Sequence, residues 1–324
     1  MNDFRLALPE DVAELEALSA LPVPGGWIDL SYARSFGHCR EQVLRGRLKT
    51  GEMAAIALRS LPLLWRRGQA RRIGYLGGLR VHPRLQGRNL LAEGFALLRR
   101  VHEADPVEEY LATIVEGNHL AERLLVERAR PGWPKFFPSG VLCTLALETK
   151  PCAFSAGPPP SWSHTQDYFP CEAPLEFGER RWWLEHQGVA GCLRDLSQTR
   201  HTRVAAYHGP LRWLRTSYNL WQRLWRRPQL PSPGARLKGG YVGFFRSDGL
   251  RPQAFGGWLR SMLGLAHSLG LDWLYLGLAE GDAYLPVARR FRHRLYRSRI
   301  FRVRYQGQPE PLPEGPPYLE LAWL

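Results

Sequence analysis

Residues 73–98 read IGYLGGLRVHPRLQGRNLLAEGFALL. Ile73 to Val81 form an apolar, glycine-containing run that reads as a strand and stops at His82-Pro83, since proline offers no donor and restricts the residue before it. Over 89–103, Leu91, Phe95, Leu98 and Val101 recur at three- and four-residue spacing, the signature of an amphipathic helix. Strand, tight polar loop and helix in that order make an anion site. The first helical amides have no intrahelical acceptor and sit at the positive end of the helix dipole. Arg84 and Arg88 add charge suited to a pyrophosphate. Gly87 removes a side chain where backbone would meet the ligand, and Asn89 tolerates a left-handed conformation.

The flanking sequence extends an alternation of strands and helices. A strand is expected over 4–7, then a helix opened by Pro9 that carries Val12, Leu15 and Leu18 on one side. A second helix is expected over 30–47, strands over 53–59, 110–115 and 141–147, and a helix over 118–128. The order then repeats. Leu91, Phe95, Leu98 and Val101 fall on Phe255, Leu259, Met262 and Leu265, and Glu116-Gly117-Asn118 falls on Glu280-Gly281-Asp282, always 164 positions later. One gap-free register through strand, loop, helix, strand and turn indicates an internal duplication. Between the copies, residues 149–178 hold six prolines and no periodicity, as a linker would. The expected division is a unit over 1–148, a Pro-rich linker over 149–179 and a diverged second unit over 180–324.

Val81-His82-Pro83-x-x-Gln86-Gly87-Arg88 followed by an amphipathic helix resembles motif A of the GCN5-related N-acetyltransferases, the GNAT superfamily. Their Q/R-x-x-G-x-G/A pattern binds the pyrophosphate of coenzyme A. Here that stretch is Gln86-Gly87-Arg88-Asn89-Leu90-Leu91, with Asn89 and Leu91 at the two family glycines. The resemblance implies an α/β fold of two tandem GNAT-like units, each a mixed, mainly antiparallel sheet flanked by helices. It implies acetyl-CoA or another acyl-CoA as cofactor, touched by Leu79, Arg80, Val81, Gln86, Gly87, Arg88, Asn89, Leu90 and Leu91, with Asn118 beside the pantetheine arm. The activity implied is acyl-CoA-dependent N-acyl transfer, acetyl-CoA first among donors, to an amine-bearing acceptor. In tandem members such as N-myristoyltransferases, one half holds the acyl-CoA and the other shapes the acceptor groove.

Acyl transfer to an amine asks for a neutral amine, a polarised carbonyl and a stabilised leaving thiolate. The family often places a glutamate base on the strand that is 73–81 here, and that run has no Asp, Glu or His. Its usual tyrosine, seven residues after the asparagine, is Leu125. Candidates elsewhere are Glu116, His119, Tyr75 and the terminal carboxylate of Leu324. Glu116 has a twin in Glu280, so a turn with a helix cap explains both. The second copy of the loop, residues 246–253, carries Asp248, which repels phosphate, and Pro252, which lacks a donor. The cofactor is therefore expected in the first half.

The chain has 324 residues, 44 Lys+Arg against 30 Asp+Glu and 44% apolar residues. No apolar run approaches the roughly 18–20 residues of a membrane helix, and the first residues do not read as a secretory signal. A cytoplasmic protein is expected. Five scattered cysteines without a CxxC pair suggest free thiols and no metal site, and no nucleotide-loop, hydrolase-elbow or zinc-protease motif occurs. Charge is uneven: residues 201–304 hold 19 Lys+Arg and 4 Asp+Glu. Within them, LRWLRTSYNLWQRLWRR (211–227) aligns Leu211, Leu214, Tyr218, Trp221 and Trp225 as one helical stripe. That stripe is expected to pack on the sheet with its arginines solvated, since the aromatics suit a core better than a membrane surface. The rival to an enzyme is a catalytically inactive tandem fold that binds an acidic partner or nucleic acid through 201–304.

Overall fold

A computed structural model describes residues 2–37, 41–86, 90–127, 130–155, 157, 167–173, 175–225, 227–247, 249, 251–305 and 316–323. In chain order the first half comprises β1 (Asp3–Leu6), α1 (Val12–Ser19), β2 (Pro22–Val23), β3 (Ile28–Arg34), β4 (Gln42–Arg47), β5 (Met53–Ser60), β6 (Leu63–Arg66), β7 (Gln69–Arg72), β8 (Gly74–Val81), α2 (Leu90–Ala104), β9 (Tyr110–Val115), α3 (His119–Ala121) and β10 (Lys135–Glu148). The second half comprises β11 (Arg180–His186), β12 (Val189–Asp195), β13 (Arg200–Tyr207), α4 (Pro210–Leu224), β14 (Gly239–Ser247), α5 (Pro252–Ser268), β15 (Trp273–Ala279), α6 (Leu285–Ala288) and β16 (His293–Arg304).

Eleven strands form one sheet in the order β1-β4-β5-β8-β9-β16-β10-β15-β14-β12-β11. The duplication is visible in it. β8 runs parallel to β9, and β14 parallel to β15, whereas the other described pairings are antiparallel. The last strand of each half crosses over. β16 pairs with β9 from Ser298↔Val115 to Val303↔Tyr110, while β10 pairs with β15 from Leu142↔Ala279 to Glu148↔Trp273. The two exchanged strands pair with each other from Lys135↔Arg304 to Leu147↔His293. Cys143, Leu145, Leu147, Ile300, Phe301 and Val303 along them are fully buried.

Helix α2 packs Phe95, Leu97 and Leu98 on the first half, and α5 packs Phe255, Trp258, Leu259 and Met262 on the second. A small sheet, β13-β3-β2, joins the halves through the ladder Arg200↔Arg34 to Tyr207↔Ile28. The described end of the Pro-rich stretch is stitched to the β6 hairpin. Trp65 N–H donates to Phe169 O at 2.8 Å, and Tyr168 and Phe169 are buried. Among the described residues no helix is long and apolar enough to cross a membrane.

Three expectations change. The described residues of 30–47 are not helical; they contribute β3 and β4, and β3 is decided by its partner β13 far along the chain. The helix expected over 118–128 is α3, three residues long, followed by a π-helical turn over Glu122–Glu127. The stripe of α4 does not pack on the sheet: Leu214, Trp221 and Trp225 are exposed. Polar residues hold the helix instead. Asn219 bonds the backbone of Leu230 twice, each at 2.8 Å, and Gln222 is buried.

Candidate functional site

β8 and β9 pair only from Gly74↔Tyr110 to Leu76↔Ala112. Past Leu76 they part, and a cavity of about 470 Å³ opens between them. At the same place β8 bulges against β5: Gly78 and Leu79 together oppose Ala57, between the pairs Leu58↔Gly77 and Ile56↔Arg80. A bulge turns backbone groups out of the ladder. Gly78 makes it with φ at +60°, and a Cβ there would stand 2.7 Å from Leu58 Cδ1. The cavity wall is almost wholly apolar, and Arg45 is the one charged residue among its described lining. That guanidinium is already held by Asp3 at 2.7 Å and Asp11 at 3.3 Å.

The cofactor residues read from the sequence divide around this cavity. Leu79, Val81, Leu90, Leu91 and Asn118 line it. Asn118 caps α3, its side-chain oxygen accepting from Ala121 N–H at 3.1 Å. Arg80 does not reach it, because its guanidinium donates to the carbonyls of Ser19 and Leu21 and ties α1 to β8. Gln86 is exposed on the loop before α2. Gly87, Arg88 and Asn89 lie outside the described residues.

The second half repeats the frame and fills it. β14 and β15 pair only from Gly239↔Trp273 to Tyr241↔Tyr275, and Phe244 and Phe245 bulge opposite Gly191. Phe244 takes the place of Gly78 in the bulge, with φ at +51°, 166 positions on, so β14 stands two residues out of the 164-residue register expected from the sequence. Its N–H donates to Glu320 Oε2 at 2.8 Å. The Phe245 ring packs 5.3 Å from those of Phe255 and Trp258 and 5.4 Å from that of Tyr284, edge-on to Phe255 and Tyr284. Arg251, the counterpart of Gly87, donates its N–H to the Tyr284 hydroxyl at 3.2 Å. In this half, then, side chains of the chain itself take up the bulge amide and the loop amide.

The candidate catalytic groups also separate. Glu116 and Glu280 both pair with one guanidinium, Arg297, at its Nε (3.2 Å) and Nη2 (2.6 Å), a paired role that follows the duplication. His119 is exposed, 3.8 Å from Glu122. Tyr75 is buried with its hydroxyl 3.0 Å from Thr113 Oγ1, and burial pushes its pKa up to about 12, so it stays protonated at neutral pH. Leu324 lies outside the described residues; Trp323 before it lines a second cleft with Arg34, Glu41 and Arg200. There, burial raises the Glu41 pKa, but Arg34 and Arg200 outweigh it and hold the carboxyl below its ordinary value. No Asp, Glu or His lines the first cavity among the described residues.

Two features escaped the reading of the sequence. Tyr32 lines the cavity and pairs with Thr202, which brings the second half to its rim. Its signal was lost when 30–47 read as a helix. Glu320 binds the Phe244 amide, Tyr318 Oη at 3.0 Å and Arg194 at 3.1 Å. A lone carboxylate inside the apolar run YLELAWL was the available sign of a buried, paired charge.

No family model matches the chain, and no curated protein does. Among solved structures it is similar to N-myristoyltransferase of Saccharomyces cerevisiae with bound myristoyl-CoA, at TM-score 0.58 and 10% identity over 97% of this chain and 86% of that one. A second structure of that protein with bound myristoyl-CoA gives TM-score 0.57 and 10% identity over 95% of this chain and 80% of the other. At such identity the likeness is one of fold: the chain has the tandem GNAT fold.

Proposed function

We propose that the chain is an acyl-CoA-dependent N-acyltransferase with its donor in the first half, at the parting of β8 and β9. The observation that carries this reading is the contrast between the halves. The same strand pair and bulge border an open apolar cavity in the first, whereas in the second Glu320, Tyr284 and the rings of Phe245, Phe255 and Trp258 occupy the bulge and loop. The cavity of about 660 Å³ beside the start of α5 has basic walls, Lys150, Arg260, Arg290 and Arg292, and no β14 or β15 residue in its described lining.

The residues fit the group. Leu79, Val81, Leu90 and Leu91 offer an apolar wall to an acyl chain and pantetheine, and Asn118 offers a polar edge. The missing Cβ of Gly78 leaves backbone free to approach. The start of α2, preceded by Gln86, Gly87 and Arg88, is where a diphosphate would be held. Bound there, acyl-CoA supplies a thioester whose acyl carbon bonds the amine nitrogen as its C–S bond breaks, the departing thiolate taking up one proton and the amine losing one. Backbone amides freed by the Gly78–Leu79 bulge would polarise the carbonyl. With no carboxylate or imidazole on the described wall, the amine's proton leaves through water. The apolar wall excludes bulk water from the thioester, and Tyr32 at the rim orients the acceptor. The units proposed are 1–148 and 180–324, and acetyl-CoA or a longer-chain acyl-CoA is the proposed donor.

The test offers the full chain acetyl-CoA and a series of longer acyl-CoAs with a panel of primary amines, an acidic one among them, and measures free CoA thiol. Amine-dependent release with one donor class supports the reading. No release with any pair, together with an unchanged melting temperature in every acyl-CoA, overturns it.

A further inference from the structure

Helix α4 presents an unusual face. At 100° per residue, Trp213, Leu214, Leu220, Trp221, Leu224 and Trp225 fall within an arc of roughly 140°, and their exposures are 78, 57, 64, 49, 76 and 59%. The opposite face is the one docked on the protein, through Asn219, Gln222 and half-buried Tyr218. The helix is therefore turned with its apolar side toward solvent. Such an exposed apolar face, broken only by Ser217 within the arc, marks a binding surface.

The charges around it choose the occupant. Residues 201–247 contain no Asp or Glu. Arg212 and Arg223 border one flank of the patch. The Arg212 guanidinium lies 5.3 Å from the Trp213 ring centre, and Arg227 lies 5.6 and 5.5 Å from those of Trp221 and Trp225. Cations thus sit beside rings that remain exposed, Trp221 and Trp225 meeting edge to face at 6.3 Å. A second copy would set arginine against arginine with no acid between. A nucleic acid would find phosphate partners but no use for Leu214, Leu220 and Leu224. An anionic bilayer uses all of it: leucines enter the acyl boundary, tryptophans sit at the headgroup level, and arginines meet lipid phosphates. We propose that α4 binds the chain peripherally to an anionic lipid surface. This is independent of which donor or acceptor the cavity takes.

The test is co-sedimentation of the full chain with phosphatidylcholine vesicles, with and without phosphatidylglycerol. Binding is expected to the anionic vesicles and to weaken as salt rises. The triple variant Trp213→Ser/Leu220→Ser/Leu224→Ser removes exposed groups only. It should keep the far-ultraviolet circular dichroism of the parent and lose on the order of a hundredfold in partitioning. Trp213→Phe/Trp221→Phe/Trp225→Phe should still bind but lose the part of fluorescence quenched by brominated lipid. Equal partitioning of parent and triple variant overturns the proposal. So does binding to an oligonucleotide without binding to vesicles, or a dimer of the parent that the triple variant abolishes while neither binds lipid.

Discussion

With φ at +60°, Gly78 occupies a conformation that costs a residue with a Cβ roughly 1–2 kcal/mol, and the Cβ itself would press on Leu58. Gly78→Val is therefore expected to lower stability by about 2 kcal/mol, read as a shift of the urea midpoint, and to weaken acyl-CoA binding at least about tenfold. Leu91 tests the cavity without touching the backbone. It is half-buried on the wall, so Leu91→Trp should fill donor space, weaken binding and leave the midpoint within about 1 kcal/mol. Both residues stand in the stretch that also revealed the fold. The sequence shows a Gly-Gly pair before the loop, but not that the second glycine makes a bulge, because the bulge depends on the register with β5. Its twin Phe244 carries no glycine signal, since the strain there is held by Glu320 and the surrounding rings.

At the scale of elements, what was legible followed local periodicity, and what was hidden followed distant partners. β8, α2, β9, α5 and β15 stand where the duplicated register put them, and α4 is a helix as its spacing requires. Its orientation was illegible because polar Asn219 bonds the loop at Leu230 and polar Gln222 is the residue that becomes buried, whereas amphipathic pattern alone assigns the apolar side to the core. Residues 30–47 misled for a related reason, since a strand whose partner lies about 170 residues away leaves little local trace. The described residues 316–323 make their own prediction. Glu320 is buried against buried Arg194, which also meets Glu179 at 2.7 Å. Glu320→Ala strands the Phe244 amide and weakens the hold on a buried guanidinium, so a loss of about 3–5 kcal/mol is expected in denaturant unfolding. A change below about 1 kcal/mol would show that this carboxylate does not secure the second half.

Across the whole molecule the exchanged strands bind the halves into one sheet. A fragment ending at residue 148 would leave β9 without β16 and β10 without β15, two long apolar edges. Expressed alone it should aggregate, whereas the full chain elutes as a compact species on gel filtration; a soluble, folded fragment would contradict the exchange. The crossing was not readable from sequence, because a gap-free repeat is equally compatible with two separate sheets. Acid sensitivity is also a property of the whole. Burial, then Arg59, hold the His102 pKa below its ordinary value, and burial with Arg236 and Arg203 does the same for His201. Asp11 and Glu179 are raised by burial, but their hydrogen bonds and arginines outweigh it and leave both lowered, as for Glu41. Depressed folded values mean that the unfolded chain binds more protons. Stability should therefore be greatest above about pH 6.5, fall gently as the imidazoles charge and fall steeply below about pH 4, as a series of urea midpoints against pH would record.

The most direct measurement is isothermal titration of the full chain and of Leu91→Trp with the acyl-CoA that releases most thiol. One molecule bound per chain, with affinity lost at least tenfold or so in the variant, is the result the open first half and filled second half require. Two molecules per chain, or one whose affinity ignores the tryptophan, would place the donor somewhere other than between β8 and β9.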